Sequence, residues 1–163
     1  MLAKANSRAR VDRGFDGIKC QINEQLLVHA HVHLTVFVNG KPRAIPAGVG
    51  IWPPVRSQNY RLGQFGLIGN CQSWLSTHYS DGIVHVEAPI VRTFVLGQFF
   101  DLWGQPFNKS GVGPVRGTVT AFVNGQVWTG DLRQIPLWPH LQIQLDVGRP
   151  LTVPESITFP DQF

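Results

Sequence analysis

The chain has 163 residues, 43% of them hydrophobic and 15% charged, with a formal net charge of +4. This composition supports one domain with a substantial core and excludes a disordered chain. Residues 1–13 carry +3 of the charge (Lys4, Arg8, Arg10 and Arg13 against Asp12), so the body is nearly neutral and supplies no basic patch for nucleic acid.

Residues 1–13 read as a flexible basic tail and residues 14–163 as a single β-rich domain. Seventeen glycines and twelve prolines separate short runs of Val, Ile, Phe and Thr. That pattern predicts an all-β fold, an antiparallel barrel or sandwich. No run reaches the ~18 apolar residues that span a bilayer, and no signal-peptide core is present. A cytoplasmic protein is expected if this N-terminus is native, unless an anchor or leader has been trimmed from it. Cys20 and Cys71 sit in no C-x-x-C motif. They are free to form a disulfide, to be buried thiols, or to supply one metal ligand.

Leu26 to Val38 is the most informative stretch. It contains His29-Ala-His31-Val-His33 and stops at Asn39-Gly40, the signature of a strand entering a hairpin. Alternate residues of a strand share a face, so the three imidazoles project to one side together with Thr35 and Phe37. Neighbours in H-x-H lie about 6–7 Å apart and can converge on one ion, whereas His29 and His33 are roughly 13 Å apart. His31 is therefore the expected central ligand, with His29 or His33 beside it.

Arg43 to Ile51 returns the chain, and Val55 to Gly69 reads as a long Gly- and Gln-rich loop. Cys71 to Thr77 is a strand candidate. His78 to Gly82 ends in an Asp-Gly turn signal, and Ile83-Val-His85-Val-Glu87 is the next strand, with His85 and Glu87 on one face. Leu96, Phe99, Phe100 and Trp103 recur at helical spacing, which predicts one short helix with Thr93 as its cap and Gly104 as its stop. Arg116 to Val123 is a further strand ending in Asn124-Gly125. Thr120-Ala-Phe-Val-Asn-Gly repeats Thr35-Val-Phe-Val-Asn-Gly at an offset of 85 residues, and Ile135-Pro136 echoes Ile45-Pro46. Two hairpins of one design predict a pseudo-twofold arrangement. His140 to Val147 alternates cleanly, with His140, Gln142, Gln144 and Asp146 on one face. His140 by itself reads as a surface or core histidine. Ser156 to Phe159 is a candidate edge strand.

The histidines suggest a metal centre. Two antiparallel strands presenting ligands at i and i+2 can surround an ion with His31, His29 or His33, and His85, with His78 and Glu87 close by. Three imidazoles with an open position suit catalytic zinc, and imidazole with carboxylate suits iron, manganese or zinc; copper also accepts imidazole-rich sites. Glu87 is the candidate catalytic residue, as a general base, or else it orients a ligand imidazole. The expected cofactor is one transition metal ion, zinc, copper or iron, and the expected partner a small molecule or a metal donor. A metalloenzyme, oxidoreductase or hydrolase, and a metal-handling protein are both open. The alternative is a non-catalytic binding or assembly module using Trp52, Trp74, Trp128 and Trp138 as an apolar contact surface.

Three motifs, His29-Ala-His-Val-His-Leu34, Thr77-His78 through Asp81-Gly-Ile-Val-His-Val-Glu-Ala-Pro89, and Leu96-Gly-Gln-Phe-Phe-Asp-Leu-Trp-Gly104, resemble a family of uncharacterised bacterial and archaeal proteins. The resemblance runs from about Gly17 to Phe163. Those proteins usually follow a membrane anchor or leader. The resemblance therefore implies an extracytoplasmic domain, membrane-associated only through an anchor outside this chain, and favours pairing of Cys20 with Cys71. Where those relatives read H-T-H-D, this chain has Ser76-Thr77-His78-Tyr79, which removes one candidate ligand and one candidate carboxylate.

Overall fold

The computed structural model describes residues 1–5, 15–23, 25–59 and 64–159. In chain order the strands are β1 (Cys20–Gln21), β2 (Val28–Val38), β3 (Lys41–Pro42), β4 (Ile51–Trp52), β5 (Val55–Asn59), β6 (Gln64–Ile68), β7 (Cys71–Ser73), β8 (Leu75–Ser76) and β9 (Ile83–Ala88). Helix α1 (Leu96–Trp103) follows, then β10 (Phe107–Asn108), β11 (Gly111–Val112), β12 (Val115–Arg116), β13 (Val119–Val123), β14 (Gln126–Val127) and β15 (Gln142–Val147).

The main sheet runs β14-β13-β15-β2-β9-β8, with β3 folded back on the end of β2. Small sheets β1-β7-β4 and β10-β11-β12 and the hairpin β5-β6 complete it. Among the described residues the main sheet is open and does not close on itself, so of the two expected architectures the sandwich fits.

Strand β2 is the axis. Its first half pairs antiparallel with β9 and its second half pairs parallel with β15. Ala30, Val32, Leu34 and Val36 point to one side and are all buried in the core, with Val84 and Val86 of β9 and Ile143, Leu145 and Val147 of β15. Burying a side chain of this size contributes about 1.5–3 kcal/mol. A slip of one residue would drive the histidines into this apolar layer, so the register is strongly specified. Helix α1 belongs to the same core: Leu96, Phe99, Phe100 and Trp103 are buried, and Phe100 stacks on Phe107 at 4.4 Å. Gly104 ends the helix in the left-handed conformation, as expected. The N-cap is Val95 rather than Thr93, its backbone N–H donating to the Gln98 side chain at 3.0 Å.

Both Asn-Gly hairpins form. Asn39, Gly40, Asn124 and Gly125 all have positive φ, as the tight hairpin turn requires. They flank β15 from opposite sides: Gln144 faces Thr35 on β2 and Phe122 on β13, while Asp146 faces Phe37 and Thr120. The Asn39 N–H donates to the Val147 carbonyl at one end of β15, and the Asn124 N–H donates to the Gln142 carbonyl at the other. The internal repeat is thus a local two-fold relation of two hairpins about one strand.

Several expectations change. Residues 55–69 contain the β5–β6 hairpin instead of a loop throughout, with 60–63 outside the described residues. Its pairing is regular, but its sequence lacks the alternation that marks a half-buried strand. Ser156 to Phe159 is not a strand. The C-terminal segment instead crosses the polar face of the sheet, held by side chains. Gln142 accepts from the Ile157 N–H and donates to the Ile157 carbonyl, and Gln144 accepts from the Glu155 N–H. Asp146 accepts from the Thr152 N–H. His140 lies in a turn at φ 60° before β15, so its ring leaves that strand's face and lies against Phe159. Of the tail expected over residues 1–13, residues 6–13 lie outside the described residues. The described part is docked: Leu2 is buried, its N–H donates to the Ala44 carbonyl, and Trp103 donates to the Lys4 carbonyl.

Cys20 and Cys71 are joined in a disulfide that ties β1 to β7 across 51 residues of sequence. In the chain-entropy account, a loop of that size is worth about 4 kcal/mol through the unfolded state. The double variant Cys20→Ala/Cys71→Ala should lose stability of that order, read as a lower denaturant midpoint with a larger m-value, because the unlinked unfolded chain exposes more surface.

Candidate metal centre

The centre is built on the face of β2 opposite the core. The β2–β9 register sets His31 opposite His85 and His29 opposite Glu87. Directly opposed residues on one face of an antiparallel pair are near enough for their side chains to meet. On the far side of β9, β8 sets Ser76 opposite His85. His78 follows in the return loop, whose position depends on Thr77. The buried Thr77 hydroxyl donates to the Pro46 carbonyl at 2.7 Å and accepts from the Val49 N–H at 3.1 Å. The loop closes through Gly82, at φ +84°, where a Cβ would fall 2.7 Å from the Leu34 carbonyl oxygen and 3.0 Å from His33 Nε2. Only glycine fits there.

The ligand-type atoms of His78, His85 and Glu87 all lie within 4.8 Å of one another. Glu87 Oε1 is 3.6 Å from His85 Nδ1 and 3.7 Å from His29 Nε2. Its other oxygen accepts from the Gln72 amide, whose nitrogen also lies 3.4 Å from His78 Nε2. The rings form a continuous edge-to-face row. Centroids are 4.7 Å apart for His29–His31, 4.6 Å for His31–His85 and 4.5 Å for His85–His78.

The row passes from water into the protein. The His29 side chain is 43% exposed, whereas His31, His85 and Glu87 are buried and His78 nearly so. Burial first, then the neighbouring His85 and His29, pushes the His31 pKa from 6.5 down to about 3. Its ring is therefore neutral across the physiological range, the form that ligates metal. Burial acts to raise the Glu87 pKa, but the hydrogen bond with His85 and the fields of His85, His78 and His29 outweigh it, and the net shift is downward. The result is a buried carboxylate among imidazoles, a donor set of nitrogen and oxygen suited to a first-row transition metal.

The six histidines separate clearly. The tight group is His78, His85 and Glu87, with His31 against His85 and His29 against Glu87. The focus thus lies at His85, one strand away from the expected His31. His33 turns aside: its Nε2 lies 3.2 Å from the Asp81 carbonyl oxygen, to which it donates. Burial lowers its pKa, against that hydrogen bond and the nearby Asp81 and Glu155. The His140 ring lies against Phe159 of the C-terminal segment. Gln72, which holds the group in place, carries no sequence signal, and Thr77 is marked only by its place in the Thr77-His78 motif, because their roles exist only once the chain around β7 and β8 meets β9. The four tryptophans offered as a contact surface differ in exposure. Trp74 is buried and donates to Gln21, Trp52 and Trp128 are half-buried, and Trp138 is exposed. Comparisons of the chain with protein-family models, with curated proteins and with solved structures found no match. The centre stands on its own geometry.

The pKa of His31 has a consequence for stability. A histidine whose folded pKa lies below its unfolded value leaves the unfolded chain binding the extra proton between the two. Folding free energy of the metal-free protein should therefore be at its plateau above pH ~6.5 and fall, by a few kcal/mol, toward pH ~3. Chemical denaturation at a series of pH values checks this. His31→Gln should fold with a flatter acid limb than the parent protein.

Proposed function

We propose that this protein binds one transition metal ion, zinc, copper or iron, through His78, His85 and Glu87. The convergence of three ligand-type atoms within 4.8 Å on a buried sheet face carries the reading. His31 packs on His85 and fixes its ring plane, and Gln72 fixes the carboxylate of Glu87. Such supporting contacts orient ligands and tune the metal.

Two imidazoles and one carboxylate leave coordination positions open, so a bound ion would be able to activate water or hold a small oxygen ligand. This donor set suits a metalloenzyme, hydrolase or oxidoreductase, or a metal-handling protein, better than a closed structural site. In this reading Glu87 acts as a ligand instead of a free general base. The disulfide supports an oxidising, extracytoplasmic setting. Among the described residues no helix is long and apolar enough to cross a membrane.

Elemental analysis of protein purified without chelator decides the matter. About one ion per chain is expected in the parent protein by analogy with single-ion sites. His85→Ala and Glu87→Gln should each lose nearly all of it while keeping the far-ultraviolet spectrum of the fold. Equal metal content in parent and variants would refute the assignment.

A further inference from the structure

The row of rings has a direction. One end, His29, stands in water, whereas His31 and His85 are buried and His78 nearly so. Glu87 connects the two environments. Its Oε1 is held almost evenly between His29 Nε2 and His85 Nδ1, at 3.7 and 3.6 Å. One carboxylate oxygen thus faces an exposed imidazole on one side and the buried group on the other.

An aqueous divalent ion cannot shed its whole water shell and enter a buried pocket in one step, because desolvating a bare charge costs many kcal/mol. It passes inward when each departing water is replaced by a protein donor. The exposed His29 would supply the first such exchange, with the buried Glu87 oxygen 3.7 Å away as the next donor inward. Glu87 would then keep its oxygen on the ion while His85 and His78 replaced the remaining outer contacts.

We propose that His29 is a port ligand, which captures the ion at the surface and passes it inward to the buried Glu87, His85 and His78. This rests on the metal-binding reading above and assigns His29 a kinetic role within it, distinct from that of a resident ligand. The exchange is ligand substitution alone: water leaves, an imidazole nitrogen binds, and no electron is transferred.

The test is the rate at which the metal-free full chain takes up Co²⁺, followed by visible absorption after rapid mixing. In His29→Ala the loading rate should fall by about tenfold or more, while the final Co²⁺ content and the final spectrum match the parent protein. His29 is exposed, so its removal should leave the fold intact. Parent-like loading by His29→Ala, or a lowered final content or changed spectrum in it, would overturn the port. Absence of Co²⁺ uptake by the parent protein would instead overturn the metal centre itself, and the port with it.

Discussion

A β-strand sends alternate side chains to opposite sides, and everything else in this structure depends on how β2 uses that constraint. Its even-numbered residues are apolar and its odd-numbered ones mostly polar. Val32, Leu34 and Val36 anchor the core, so His29, His31 and His33 have no choice of side. The core therefore positions the candidate centre. Packing energy on one face is spent holding imidazoles in register on the other.

The polar face is nevertheless largely buried, and it solves that burial in two ways. Around β15 the solution is hydrogen bonding to backbone. Gln142, Gln144 and Asp146 take up the C-terminal segment, each through partners of complementary type. Around β9 the solution is mutual: imidazoles, one carboxylate and one amide satisfy each other. A carboxylate at this depth is tolerable only because the imidazoles, His85 foremost, stabilise its charge, which is why its pKa falls despite burial. His33 lies at the border between the two halves and belongs to neither, bonded instead to the Asp81 carbonyl.

The fold was legible where local physics decides it. The Asn-Gly hairpins, the short helix with its Gly104 stop, and β2, β9 and β15 follow from alternation, helical spacing and turn chemistry. So does the shared face of His29, His31 and His33, and that of His85 and Glu87. The β5–β6 hairpin was illegible because its residues do not alternate. The strap over Gln142 and Gln144 was illegible because side chains, not a ladder, hold it. The helix cap moved from Thr93 to Val95 because Gln98 supplies the hydrogen bond from three residues on.

Sequence by itself determined which side chains travel together, since the period of a strand is a property of the backbone. It also determined that histidine and glutamate would share a face within β9. Tertiary structure alone decided which groups meet. The register of β2 on β9, residues 50 or more positions apart, sets His31 against His85 and His29 against Glu87. The docking of β7 and β8 brings Gln72 and His78 to the same point. Such long-range pairing reflects the competition of whole sheets for buried area, and no short stretch of sequence encodes it.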